Sequence, residues 1–351
     1  MLFQTEEINT IRFSGLVEFV IKRAVSTVGI LLGVVAILFL VFRVVIPDPA
    51  KVWAGPRASQ QTLAALTLRF HLNAPLYMQF YYYLNDLLHG DWGVSPVSGQ
   101  PVFQSIVQYF PATAELTSAA LIITIALGMP LGVIAATHRN KPADHVARVT
   151  SLAGVASPPF LLALVLQFVF VFYLRAFPDS GGRISVFVTQ PAQITGFFTI
   201  DSLITGNWPA FVSSLQHLVL PAVALAFLTL GLMSRLMRAS LLEALASDYV
   251  RTAKAKGLRK YVVIYKHALR NALAQPITGL AVYVAYLLGG SVVVENIFSW
   301  PGIGRYAAQA ALNFDFPAIM GTTIVFAVCV VAMNLVADIL LCLIDPRIRL
   351  G

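Results

Sequence analysis

SRLMRASLLEALASDYVRTAKAKGLRKYVVIYKHALRNALAQPIT, residues 234–278, holds nine basic side chains in a chain where charge is otherwise scarce. They are Arg235, Arg238, Arg251, Lys254, Lys256, Arg259, Lys260, Lys266 and Arg270. The apolar runs on either side are each long enough to cross a bilayer. Leu241, Leu242, Leu245 and Tyr249 fall at helical spacing, with Glu243 and Asp248 off that stripe, which predicts a first amphipathic helix. Ala253 and Ala255 set small side chains among the basic ones, so a partner's surface would approach the backbone closely. Gly257 can take positive φ and close a helix, leaving a short helix across the membrane plane. A second helix, Tyr261 to Ala274, would lead back to the lipid and stop before Pro276. The stretch therefore reads as a docking surface. Two simpler readings stand beside it: basic loops follow from the positive-inside rule alone, and a nucleic-acid patch would need a folded soluble domain that the chain lacks.

Composition places the chain in lipid. Of 351 residues, 58% are hydrophobic and 11% charged, against about 25% charged in ordinary soluble domains; mean hydropathy is +0.78. The net charge of +8 is explained by orientation and calls for no polyanion. Cys329 and Cys342 fall 13 residues apart in one predicted helix, roughly 20 Å along its axis, too far for a disulfide. They read as two separate buried thiols.

Residues 1 to about 18 form a leader, and Lys22 and Arg23 precede an apolar run ending near Ile46. That run exceeds the roughly 7–15 residues of a signal-peptide core, so it reads as an uncleaved first span. Five more spans are predicted at about 112–137, 148–174, 215–235, 276–297 and 318–343. With both ends inside, 17 of the 24 Lys and Arg residues lie on the inner side and 7 on the outer, which favours N-in, C-in. The outer segments are long: apolar-periodic runs at 59–70 and 75–88, a stretch at 199–213, and a sharp turn at Pro301, Gly302 and Gly304 into a short helix. They read either as packing caps or as a platform where an external protein hands over cargo.

YVRTAKAKGL (249–258) followed by KHALRNAL (266–273) closely resembles the cytoplasmic "EAA" loop of ATP-binding-cassette importer permeases of the dipeptide/oligopeptide type. Arg251 stands where the name-giving version has Glu. LNAPLYMQFYYYLNDLLHGDWGVS (72–95), FPATAELTSAALIITIALGMPLGVIAA (110–136), HLVLPAVALAF (217–227), ENIFSWPGIGRYAAQA (295–310) and DPRIR (345–349) are similar in type and order. The first 18 residues and the apolar insertion near 184–200 are less typical, and no role is assigned to either. The resemblance implies an all-α membrane protein with six transmembrane helices, N-in/C-in, of the type I ABC importer permease fold with a cytoplasmic coupling helix. Residues 1–46 would hold the N-terminal segment and first span and 47–111 an extracytoplasmic region. The permease core would occupy 112–351, with the EAA-type loop at 235–275. The coupling helix would dock an ATPase through Asp248, Tyr249, Arg251, Thr252, Ala253, Lys254, Ala255, Lys256, Gly257 and Leu258. It also implies two ABC ATPase subunits, a second homologous permease, an extracytoplasmic substrate-binding protein and a location in the plasma (inner) membrane, multi-pass.

The residues carry no catalytic constellation: no GxxxxGK[ST], HExxH, CxxC or GxSxG. An ATP-driven role therefore requires separate ATPases to bind ATP and Mg, and no cofactor is expected on this chain. Intramembrane polar residues are the candidates for a path. Glu115, following Pro111 as a first helical residue, reads as an interfacial charge favoured by the helix dipole. Gln167, and Asn334 with Asp338 on one face four residues apart, read as interhelical hydrogen bonders or as conduit lining. Glu295 either faces the cavity or caps the turn. The alternative from another class is a secondary transporter or channel working without an ATPase. It would want mid-membrane carboxylates with inverted repeats, or pore-lining rings.

Overall fold

The computed structural model describes residues 23, 25–45, 49–54, 59–179 and 181–344. The leader, Lys22, Arg57 and the closing DPRIR lie outside them. The described residues are built from helices and one isolated bridge, Val94 to Pro101. In chain order the helices are α1 (Val25–Val44), α2 (Pro49–Ala54), α3 (Gln60–Arg69), α4 (Leu76–Leu88), α5 (Val102–Thr137), α6 (Pro142–Ala156) and α7 (Pro159–Tyr173). Then follow α8 (Phe198–Ile204), α9 (Trp208–Ala246), α10 (Asp248–Ala255), α11 (Lys260–Val262) and α12 (Leu269–Ala272), the last two joined through π-helical Val263–Ala268. α13 (Ala274–Thr278), α14 (Leu280–Ile297), α15 (Ile303–Leu312) and α16 (Phe316–Ile344) complete the chain. Among the described residues, five helices are long and apolar enough to cross a membrane, or up to six spans if the bent pair α6–α7 counts as one.

α5 and α9 form the centre. In lipid the tails are as apolar as leucine, so helices associate through close packing of small residues and a few hydrogen bonds. Gly128 and Gly132, four apart on α5, provide the close surface. A Cβ built on Gly132 would lie 2.6 Å from both Met237 Cβ and the Ser234 carbonyl oxygen of α9. One turn further along, the Thr124 and Thr229 hydroxyls bond across the interface at 2.7 Å. α6 joins the same column at Gly154 and Gly231, where backbone meets backbone. α1 and α16 lie at the periphery, meeting through Phe42 and Phe316, with ring centroids 5.3 Å apart, at one end and the Arg23–Asp338 ion pair at 3.2 Å at the other.

Several predicted boundaries move, each for a local reason. α5 starts at Val102, ten residues before the expected 112, because Val102 and Ile106 bury themselves against Ile303, Ala310 and Ala318. Pro111 thus sits inside the helix. The expected third span, 148–174, is two helices bent by 104°. Ser157 is extended at φ −89°, ψ 118°, as a residue before proline prefers, and Pro158 and Pro159 offer no N–H to continue the ladder. The fourth span runs past 235 to Ala246, so Leu241, Leu242 and Leu245 belong to its last turns and form no separate amphipathic helix. Pro276 lies within α13, past the stop expected for the second loop helix. Cys329 is half-buried and free; the side chain of Cys342 lies outside the described part.

The α5–α9 contact sets the first expectation. Gly132→Ala forces a methyl into a space closed by main chain and should destabilise the fold by about 1–3 kcal/mol. Gly33→Ala on α1, which meets nothing within 4 Å, should leave thermal unfolding of the detergent-purified protein unchanged. Equal melting of the two variants would contradict this packing.

Candidate functional site

The basic end of the bundle carries α10. The long helix α9 stops at Ser247, whose backbone turns extended (φ −71°, ψ 155°), and α10 begins at once. Val250 and Ala253 are buried against Val133 and Ala136 of α5, Met237, Leu241 and Ala244 of α9, and Val263, Ala268 and Ala272 beyond the turn. The helix is thereby seated on the ends of the two central spans. Its other face is open: Asp248, Tyr249, Arg251, Thr252, Lys254 and Ala255 are exposed, as are Lys256, Gly257 and Leu258 after it. Ala253 therefore has a different role from the one its size suggested, since it packs inward while Ala255 alone keeps the backbone approachable. Gly257 has φ +73°, with its N–H on the Lys254 carbonyl at 3.0 Å, and a Cβ there would meet nothing within 4 Å. The turn needs glycine for its backbone conformation.

Eight of the nine basic residues are exposed at this end. The ninth, Arg238, is turned inward in a two-pronged bond to Asp144 at 2.8 and 3.0 Å. Asp144 is fully buried, accepts also from the Asn140 N–H at 3.0 Å, and lies 3.4 Å from Arg148. Removing one partner of such a pair costs about 3–5 kcal/mol, so Arg238 fastens α9 to α6 and is withdrawn from the surface. The Arg251–Asp248 pair at 3.3 Å is almost wholly solvated and adds little. Tyr261 and Tyr265, exposed with rings 4.5 Å apart, add an aromatic element to the basic face that charge reading overlooked.

At the opposite end the polar residues form a node. Glu115 is buried a dozen residues inside α5, far from the first turn, so the helix-dipole reading does not apply. Its carboxylate accepts from Arg183 and from the Thr199 N–H and hydroxyl at 2.8 and 2.6 Å. Arg183 also donates to the Gly196 carbonyl at 2.7 Å and lies 3.8 Å from the Phe198 ring centroid. The insertion near 184–200 is thus clamped onto α5. Asp201 closes the clamp by accepting from Ile194 N–H, Thr195 N–H and hydroxyl, and Gly196 N–H. Burial pushes the Asp201 carboxyl up, and those hydrogen bonds outweigh it, holding the group below the ordinary carboxylate range. Glu295 is fully buried, accepts from the Thr113 hydroxyl at 2.7 Å and the Arg305 N–H at 2.8 Å, and so caps the turn into α15. Thr113 receives Ile303 N–H, and the Trp300 indole donates to the Ala112 carbonyl at 2.9 Å. The remaining candidates lie elsewhere: Gln167 half-buried in α7, Asn334 exposed on α16, and Asp338 paired with Arg23 at the basic end. Glu115 and Glu295 thus lie at one end of the bundle and Asp338 at the other.

The clamp predicts a protease phenotype. Glu115→Gln leaves Arg183 without its carboxylate, at a cost of about 3–5 kcal/mol. Trypsin should then cut after Arg183 at least about tenfold faster, tracking the population of the opened loop. An unchanged cleavage pattern would refute the clamp.

Residues 128–350 match the family described as binding-protein-dependent transport system inner membrane component, and residues 16–117 match its N-terminal companion. A probable D,D-dipeptide transport system permease protein of Escherichia coli K12 is 40% identical over 330 residues, covering 94% of this chain and 97% of that one. A dipeptide transport system permease protein of Alkalihalophilus pseudofirmus is 37% identical over 337 residues, 95% of this chain and 100% of the relative. A glutathione transport system permease protein of Salmonella choleraesuis is 33% identical over 334 residues, with 95% and 99% covered. With its spanning helices, this chain belongs to the binding-protein-dependent transport system inner membrane component family: a multi-pass plasma-membrane subunit of an ABC importer with the type I permease fold, a transport protein and not an enzyme.

Proposed function

We propose that α10 is the element through which ATP hydrolysis in a separate subunit moves this one. The observation that carries the reading is the division of α10 into two faces. Val250 and Ala253 bind it to the ends of α5 and α9, while Tyr249, Arg251, Lys254, Ala255, Lys256 and Leu258 face outward. A push on the outward face is delivered to the central spans because the inward face is packed without slack. The basic end is then cytoplasmic. The full assembly comprises this chain, a second homologous permease, two ABC ATPases that hold ATP and Mg, and an extracytoplasmic binding protein. Cargo passes between the two permeases. Relatives named for dipeptides and glutathione favour short peptides or similar small polar solutes, with oligosaccharides and nickel complexes as further classes.

Gly257→Val tests the coupling. Valine in the left-handed region costs about 1–2 kcal/mol, roughly tenfold in the population of the native turn, with no clash to unfold the protein. The variant should insert and assemble normally and lose most binding-protein-stimulated ATP hydrolysis in proteoliposomes. Ala255→Trp, on the exposed face, should do the same by steric exclusion. Full stimulation in both variants would sink the docking assignment.

A further inference from the structure

At the end opposite the basic loops, the last turn of α1, α2, the α3–α4 corner and the first turns of α16 enclose a cavity of about 210 Å³. That is space for several water molecules, on the scale of a small polar molecule. Two donors among its lining residues have no acceptor. Arg43 lies over the rings of Trp53 and Phe70, at 4.5 and 5.6 Å from their centroids, and its Nη1 is buried without a hydrogen-bond partner. Trp53 is 8% exposed, and its indole N–H is likewise unanswered. Buried donors left unmatched are costly. A cation and an N–H in one aromatic-walled cavity are a receptor for an oxyanion.

The same cavity carries negative charge. Asp86 lines it, and its carboxylate accepts no hydrogen bond among the described residues; Asp91 also lines it and holds Arg69 only loosely, at 3.5 Å. The walls are held firmly. Gln79 is buried and donates to the Leu72 and Ala74 carbonyls at 3.1 and 2.8 Å, pinning the α3–α4 corner, and His71 stacks on Tyr82 at 4.1 Å. Arg43 and Arg69 share the lining with Asp86 and Asp91, so a guest with both charges is matched better than an anion alone.

We infer that this cavity binds a small zwitterion, with its carboxylate at Arg43 and Trp53 and its ammonium at Asp86, and that the guest is a short peptide with free ends. The identity of the guest rests on the transport reading above. The zwitterionic headgroup of an ethanolamine lipid has the same charges, and competition distinguishes the two sources. The site would lie within one subunit.

The test uses the assembled transporter in phosphatidylcholine nanodiscs without binding protein, measuring equilibrium binding of radiolabelled L-alanyl-L-alanine. Saturable binding is expected at this site, weakened at least about tenfold by Arg43→Gln and by Trp53→Phe, the loss of one charge-assisted or buried hydrogen bond. Trp53→Phe keeps an aromatic, apolar side chain there while removing the N–H, and so guards against a folding artefact of the first variant. The C-terminal amide of the dipeptide should fail to compete. Absence of saturable binding, binding indifferent to both substitutions, or equal competition by the amide overturns the proposal. So does displacement by dihexanoyl phosphatidylethanolamine where unlabelled dipeptide displaces nothing, which would make the cavity a lipid site. Binding-protein-stimulated ATP hydrolysis of the unaltered protein in the same nanodiscs reports on the transport reading separately.

Discussion

The contact between α5 and α9 is the constraint on which the remaining structure depends. A bilayer gives helices no hydrophobic reason to meet, so their association rests on how closely two backbones approach. Gly132 allows Met237 and the Ser234 carbonyl to occupy the place of a side chain. The close fit continues to the basic end, where Val133 and Ala136 of the one helix and Met237, Leu241 and Ala244 of the other make a common socket. α10 sits in that socket. A surface helix of eight residues would be marginal alone; here its position is borrowed from two helices of 36 and 39 residues.

Buried charge does a second kind of work at the two ends of the bundle. Asp144 with Arg238 joins α6 to α9, and Glu115 with Arg183 holds the 184–200 insertion on α5. Such pairs add little net stability compared with apolar packing, yet breaking either half is severe. They therefore fix which surfaces meet. Glu295 acts similarly through neutral donors, receiving Thr113 and the backbone at the start of α15.

Much of this was legible in the chain. The helices at 60–69 and 76–88, the turn into α15 and the short helix before Gly257 followed from period and turn residues, because those signals are local. What escaped was set by tertiary contact. Nothing around Asp144 announces that Arg238 will reach it across 94 residues, so counting charges overstated the exposed basic face by one. Glu115 looked like a cap because Pro111 suggested a start; the helix runs on to Val102 because α15 and α16 cover it. Ala253 looked like a partner contact because small size has two uses, and only burial tells inward from outward. The sequence also carried a visible warning at Ser157-Pro158-Pro159, where a prediction from hydropathy alone drew one unbroken span.

That proline pair has a consequence for the main chain. Oxygens of Gly154 and Val155 would ordinarily receive the N–H groups of residues 158 and 159, and both of those residues are imino acids. Two carbonyls are thereby cut loose from their ladder partway along a membrane-crossing segment, where hydrocarbon can offer them nothing. At the elbow where α6 and α7 bend by 104°, those two oxygens must therefore be answered by something other than the helix ladder.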